Sequence, residues 1–461
     1  MANSSTAKKN STGNGSFWEK TFKLREHGTD IRTEVFAGIT TFMTMAYILV
    51  VNPSILSSIP GVSFEAALIA TAISSAFATF LMSFLANHPF ALAPGMGLNA
   101  YFAYSVVGAM GYSYSEALAA VFISGVIFII MTATGARRAI VKAIPESIKS
   151  GIGAGIGLFI ALLGLQSAGI IQGDPNTMLA LGDLTNHATL LAILGLFITG
   201  VLMTLNVKGS ILIGMFVTTI LGWVTKTAPA PEGFFALPNF AEWFKIVGQM
   251  DFKGLLQIGN GFNMNVLTRV VEVIFAFFFV DMFDTIGTLV GVAKRSNMMD
   301  KDGTLPNMDK AMMADAVGTC FGAFSGTPTV TTYVESASGV AAGGRTGLTS
   351  FTVAIAFLLF GLFLSPVAKS VPGFATAPAL IIVGVLMMQS IKDVNWDDMS
   401  EALPAFIAVA AMPFTFSISN GIAFAFIAYS FVKLLSGKGK DVHWVVYLLS
   451  VLFILKYAFL K

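Results

Sequence analysis

The chain has 461 residues, of which 55% are hydrophobic and only 11% charged, with a formal net charge of +2 and a mean hydropathy of +0.77. A soluble domain needs far more charge to cover its surface, so that class is excluded. A single cysteine, Cys320, excludes an intramolecular disulfide, and four dispersed histidines (His27, His88, His187, His443) form no zinc-like cluster, so no metal is expected.

Residues 1–15 are rich in Ser, Asn and Lys and have no apolar core, which reads as a disordered tail and not a signal peptide. Apolar runs then follow near Val35–Leu56, Ala66–Ala86, Ala117–Thr134, Gly151–Ser167, Ala188–Leu205 and Ile211–Thr225, with a broken segment over Pro94–Val107 between the second and third. The stretch 227–260 is richer in Pro, Trp and Phe, which suits an interfacial linker with a surface helix near Phe240–Gln249. Beyond it come runs near Leu267–Ala293, Ala311–Phe324, Leu348–Val367, Ala375–Met388, Ala402–Phe416 and Gly421–Leu435, with a second broken segment over Pro328–Ala342. The run His443–Leu460 is apolar but interrupted by Lys456, and an interfacial helix is expected there.

Apolar runs of the length needed to cross about 30 Å of hydrocarbon recur along almost the whole chain, so it is read as an all-α polytopic membrane protein of fourteen transmembrane segments. Its divisions are a cytoplasmic tail over 1–30, a first repeat over 31–226, a linker over 227–262, a second repeat over 263–436 and a C-terminal apolar helix over 437–461. Seven segments precede the linker and seven follow it, so the second repeat is inverted, which is a transporter architecture. Ala93-Pro94-Gly95 and Thr327-Pro328-Thr329 open the broken segments, and their prolines are 234 residues apart. Basic clusters at Lys8, Lys9, Lys20, Lys23 and Arg25, at Arg137, Arg138, Lys142 and Lys149, and at Lys294, Arg295, Lys301 and Lys310 fall on one side if every segment crosses. The positive-inside rule makes that side, and the N-terminus, cytoplasmic.

The chemistry concentrates in the broken segments and the eighth. Thr329-Val330-Thr331-Thr332-Tyr333-Val334 is β-branched and extended in character, whereas Glu335 opens a run of small residues suited to a helix; Pro94–Gly97 followed by Leu98–Phe102 divides the same way. Segments 3 and 10 are therefore expected to be half strand and half helix. Irregular backbone at that depth is tolerated only around a protein-lined cavity. Asp281 and Asp284 lie three residues apart in AFFFVDMFDTIGTLVGVA and are expected to share a face. A charge at mid-span costs roughly 3 kcal/mol, which makes Glu335, Asp284, Asp281 and Asp315 functional candidates able to carry a proton. Glu272 is expected to pair with Arg269. Gly151, Gly153, Gly155 and Gly157 follow no strand and read as close helix packing, not a nucleotide loop.

FAGITTFMTMAYILVVNP at Phe36–Pro53, ALAPGMGLNAYF at Ala91–Phe102, FVDMFDTIGTL at Phe279–Leu289 and the Tyr333/Glu335 segment, in this order, resemble the nucleobase–cation symporter-2 family, in its branch of adenine/guanine/hypoxanthine permeases. The likeness covers about Phe17 to Leu435. It implies the inverted-repeat fold of uracil and xanthine permeases, shared with sulfate and bicarbonate transporters, with the first four segments of each half as a core domain and the last three as a gate domain. By the resemblance Asp284 contacts the base or couples to the proton, Glu335 binds the base, and Tyr333 lines the site. A histidine four residues beyond the eighth-segment carboxylate in the uracil branch is replaced by Thr288. The resemblance also implies a homodimer and residence in the bacterial cytoplasmic (inner) membrane.

A purine base presents N–H donors, ring-nitrogen acceptors and, in guanine or hypoxanthine, a carbonyl. Ionised Glu335 would accept from N1–H, while Tyr101, Phe102 or Tyr333 stacks on the ring; Gly97, Asn99 and Thr332 complete the expected lining. Adenine offers an acceptor at N1, which a bare carboxylate repels, so guanine and hypoxanthine are favoured where an ionised Glu335 faces that edge, and a protonated Glu335 reverses the preference. The expected function is proton-coupled uptake of these bases by alternating access. Asp284, Asp281 and Asp315 are the proton-coupling candidates, and Na⁺ stays open because Thr and carbonyl oxygens are abundant. No cofactor, chemical transformation or nucleic-acid partner is expected. The alternatives are an adenine permease of the same family and, more remotely, an anion transporter on the same fold.

Overall fold

Hydrocarbon offers no partner to a free backbone amide, so the apolar runs close their hydrogen bonds internally as helices. The computed structural model describes residues 17–135, 143–257, 264–295, 298–300 and 305–459. The expected tail over 1–15 and the basic positions Lys8, Lys9, Arg137, Arg138, Lys142 and Lys301 lie outside the described residues. The remainder of the tail is docked: Phe17–Phe22 is a helix, and Phe22 is buried against Leu24 and Leu348.

Among the described residues, seven helices reach 18 residues and are apolar enough to cross a bilayer: Ile31–Leu56, Phe64–Ala86, Tyr114–Ala133, Glu146–Ser167, His187–Thr204, Gly373–Asp393 and Ile418–Leu435. Shorter apolar helices span Ser210–Val224, Gly347–Phe363 and Met399–Phe414. The eighth and ninth expected segments are Met264–Arg295 and Met308–Ser325. In the linker, a short helix Phe240–Phe244 is fastened by Trp243 Nε1, which donates to Ser325 O at 3.0 Å.

The two broken segments meet. Strand β1 (Leu92–Pro94) pairs antiparallel with β4 (Val330–Thr332), with Leu92 opposite Thr332 and Pro94 opposite Val330. The ladder continues outward, because Gly95 N donates to Thr329 O and Tyr333 N to Ala91 O, both at 3.0 Å. Gly95 is required by the approach, since a Cβ there would stand 2.7 Å from Thr331 Cγ2. Helix Met96–Ala100 follows β1 and helix Ser336–Ala341 follows β4. Pro94 and Pro328 are therefore not equivalent: Pro94 ends its strand, whereas Pro328 precedes β4 by two residues. One further hairpin was not anticipated, β2 (Ile171–Asp174) with β3 (Met178–Leu181). Its turn is held by Asp174, which accepts from Thr177 N and Asn176 N; those bonds hold its carboxyl below the ordinary carboxylate range.

Helix Glu146–Ser167 shows why its glycines recur. A Cβ at Gly151 would stand 2.8 Å from Ala405 Cα, at Gly155 2.8 Å from Ala408 O, and at Gly157 2.8 Å from Gly384 O. The row admits two neighbouring helices at backbone distance.

The C-terminal helix Trp444–Phe459, expected to be interfacial, packs antiparallel against Ile418–Leu435. Ser450 and Ser430 hydroxyls lie 2.6 Å apart and Tyr457 OH donates to Asn420 Oδ1 at 2.7 Å, while Tyr447 OH donates to Gly439 O in the connecting turn at 3.0 Å. Lys456, whose charge suggested an interfacial position, is paired with Glu272 at 2.5 Å. Glu272 thus takes its partner from this helix and not from Arg269, and it also accepts from Ser419 Oγ at 2.7 Å.

Candidate functional site

Element one breaks between Met45 and Ile48, and Tyr47 sits in the break, 1% exposed. Its hydroxyl donates to Glu335 Oε1 at 2.6 Å. One turn earlier, Thr44 Oγ1 lies 2.9 Å from Ser338 Oγ. Glu335 stands at the start of Ser336–Ala341 without a side-chain capping bond and is half-buried, so part of it is left open where β4 turns into helix, and that opening forms the cleft. Tyr333, two residues earlier, is buried and donates its hydroxyl to Pro94 O at 2.5 Å, tying its ring to the end of β1.

Helix Met264–Arg295 brings Asp284 beside this cleft, half-buried like Glu335 and near enough for the two charges to interact. Asp281 does not share that face. Three residues turn a helix by about 300°, and the shift sends Asp281 behind β4, 1% exposed, where it accepts from Thr319 Oγ1 at 3.2 Å. Asp315 is there too, fully buried and accepting from Thr285 Oγ1 at 2.8 Å. The same hydroxyls reach β4: Thr285 and Thr331 hydroxyls lie 2.9 Å apart, and Thr319 Oγ1 is 3.0 Å from Val330 O. Asp281 and Asp315 brace the strand from behind, while Asp284 and Glu335 face the cleft.

Around β1 the expected lining divides as well. Asn99 is fully buried, and neither of its amide atoms has a partner among the described residues. Thr332 is buried in β4 with its hydroxyl likewise unpartnered among the described residues. Gly97 is half-buried, and a Cβ there would stand 2.7 Å from Ile156 Cγ2, so its missing side chain serves the contact with helix Glu146–Ser167. Tyr101 and Phe102 are both fully buried in an aromatic cluster, with ring centroids 5.1 Å and 6.3 Å from Phe277. Of the aromatic candidates, Tyr333 is the one the structure joins to Glu335.

Sequence reading missed Tyr47, Thr44 and two further anchors. Asn52 donates to Thr71 Oγ1 at 2.8 Å and Thr327 Oγ1 at 2.9 Å, fixing the entry to β4. Glu34 is fully buried and accepts from Arg345 N at 2.8 Å and Thr349 Oγ1 at 2.6 Å, capping the helix after the second broken segment. The available signal was the row Thr41, Thr44, Tyr47 and Asn52, a polar stripe at helical spacing in an apolar span.

Residues 32–424 match the model of the Permease family, Xan_ur_permease. A putative permease of Methanocaldococcus jannaschii is 51% identical over 96% of this chain and 99% of its own. The adenine permease AdeP of Escherichia coli is 43% identical, over 96% of each chain. The guanine/hypoxanthine permease PbuO of Bacillus subtilis is 44% identical, over 94% of this chain and 99% of its own. Among solved structures, the transmembrane domain of the cyanobacterial bicarbonate transporter BicA superposes with a TM-score of 0.63 at 17% identity, covering 84% of this chain and 97% of that one. That likeness concerns the fold: the two share the inverted-repeat architecture.

Proposed function

Because this chain belongs to the Permease family, the nucleobase–cation symporter-2 permeases, and is a membrane-spanning transporter, we propose that it carries purine nucleobases, with guanine and hypoxanthine favoured, inward together with a proton. The observation that carries the reading is the Glu335 carboxylate, held by Tyr47 at the edge of the β1–β4 crossing with Asp284 beside it. A lactam N1–H, and in guanine the exocyclic amine, donates to Glu335. Asn99, with its amide unpartnered among the described residues, offers one donor and one acceptor to the remaining polar edge. Tyr333, fixed through its hydroxyl, supplies an immobile ring beside the base. A site built to satisfy donors rejects an analogue that lacks them more strongly than an apolar slot does.

Two carboxylates facing one cleft favour sharing a proton over carrying two charges. With Tyr47 donating to Glu335, the proton goes to Asp284. Proton on Asp284 and base on Glu335 then stabilise the same closed state, which is the condition for coupling. The core, holding both, moves against the gate and releases both on the other side. The cytoplasmic membrane, a cytoplasmic N-terminus and a homodimer belong to the same reading.

The test is uptake of radiolabelled hypoxanthine, guanine, adenine and uracil into cells lacking their own purine permeases, with and without a proton uncoupler. Uncoupler-sensitive uptake of hypoxanthine and guanine is expected. Uptake that follows Na⁺ and ignores the uncoupler would replace the coupling ion, and uptake of adenine alone would replace the substrate. Relatives named for either purine class are about equally similar, so identity does not decide between them.

A further inference from the structure

The first element contributes to the cleft a residue that lies within the motif Phe36–Pro53 but to which the resemblance assigns no role. Tyr47 lies where helix Ile31–Met45 gives way to Ile48–Leu56, and the break aims its ring at the tenth segment, 288 residues further along the chain. The phenol is 1% exposed and its oxygen is 2.6 Å from Glu335 Oε1. Thr44, one turn back, meets Ser338 one turn beyond Glu335, so the geometry is pinned on both sides. Glu335 itself is half-buried, with one oxygen engaged by the phenol and the carboxylate at the cleft edge.

We propose that Tyr47 is the residue that sets purine class, by holding Glu335 in its acceptor form. This rests on Glu335 binding the base. A phenol that donates to an ionised carboxylate makes a charge-assisted bond about twice as strong as one to a neutral acid. Tyr47 therefore favours a Glu335 that can only accept, and a base reaching it must bring an N–H. Hypoxanthine and guanine bring one at N1. Adenine in the same pose brings a lone pair at N1 and would need Glu335 to carry a hydrogen, which the Tyr47 bond opposes. Asp284, the other charged group beside Glu335, has no phenol donor among the described residues and is free to exchange the proton. Tyr47 acts through Glu335 and does not itself touch the base, so it is a positioning residue.

The experiment is competitive uptake of hypoxanthine and adenine by the full-length transporter in permease-deficient cells, comparing wild type, Tyr47→Phe and Glu335→Gln at equal membrane abundance. Tyr47→Phe removes one oxygen and keeps the ring. It is expected to raise the KM for hypoxanthine about tenfold or more, to leave Vmax within about twofold, and to lower the hypoxanthine-to-adenine ratio about tenfold. A purely structural role would lower Vmax and abundance for both bases alike. Should Tyr47→Phe fail to accumulate, site-specific 3-fluorotyrosine at position 47 keeps the shape, strengthens the donor and should move the ratio the other way. A ratio unmoved by either change, while Glu335→Gln raises the hypoxanthine KM, overturns the role of Tyr47 alone. Glu335→Gln without effect overturns the base-binding reading beneath it, and a wild type that takes only adenine overturns both.

Discussion

Three aspartates stand in the eighth and ninth segments, and the structure gives them different work. Asp284 faces the cleft beside Glu335, whereas Asp281 and Asp315 receive hydroxyls that also touch β4. Asp284→Asn is accordingly expected to abolish concentrative uptake driven by a pH gradient while sparing base exchange across the membrane, measured with preloaded proteoliposomes. Asp315→Ala is expected to act on stability first: losing a buried hydrogen-bond partner costs about 1–3 kcal/mol, read as a lower unfolding temperature of the detergent-solubilised protein with or without base. The carboxylates could be found in the sequence because a charge in an apolar run stands out whatever the fold. Tyr47 and Asn52 show in the sequence only as members of a polar stripe, since a tyrosine or asparagine suits many helix positions, and their roles come from partners 288 and 275 residues away. The shared face expected of Asp281 and Asp284 failed for a similar reason, because a 60° offset is small in sequence terms and large beside a strand one residue wide.

Among elements, the strand character of Thr329–Thr332 was readable from its β-branched run, but its partner was not, because β1 belongs to the other repeat. The two prolines sit differently in their segments, Pro94 ending β1 and Pro328 preceding β4 by two residues. The glycine row was readable as packing, and the structure supplies the surfaces it meets at Ala405, Ala408 and Gly384. Gly157→Leu is expected to force that contact apart and to abolish accumulation in the membrane, measured by immunoblot. Lys456 and Glu272 form a pair whose side chains are 15% and 12% exposed. Removing one member of such a pair leaves a buried charge and costs roughly 3–5 kcal/mol, whereas replacing both can be neutral. Lys456→Met alone is therefore expected to lower the unfolding temperature sharply, and Lys456→Met with Glu272→Leu to recover most of it.

At the scale of the whole molecule, the apolar helices and their order were legible from hydropathy, and seven of those among the described residues are long and apolar enough to cross a bilayer. The course of the C-terminal helix was not legible, because Lys456 looked like a reason to stay in the interface until its partner was known. Trp444–Phe459 is 16 residues long, about 24 Å of helix, and turns Leu448, Val451, Leu452 and Leu455 outward. If the helix crosses the bilayer as its neighbour Ile418–Leu435 is read to do, it adds one segment to the fourteen expected. Epitope tags at the two ends are expected to label on opposite sides of the membrane in intact and permeabilised cells; labelling on the same side would mean that the helix does not cross.

The pairing of β1 with β4 also bears on how the protein is made. Gly95 N–H finds its acceptor, Thr329 O, only 234 residues later. At roughly 5–20 residues per second, a ribosome takes about 10–50 s to deliver that carbonyl. Throughout that interval the third segment has left the ribosome with an unsatisfied amide that hydrocarbon would not tolerate. The nascent first half must therefore wait in a wet or protein-lined setting, and it passes fully into lipid only when the second half arrives to close the crossing.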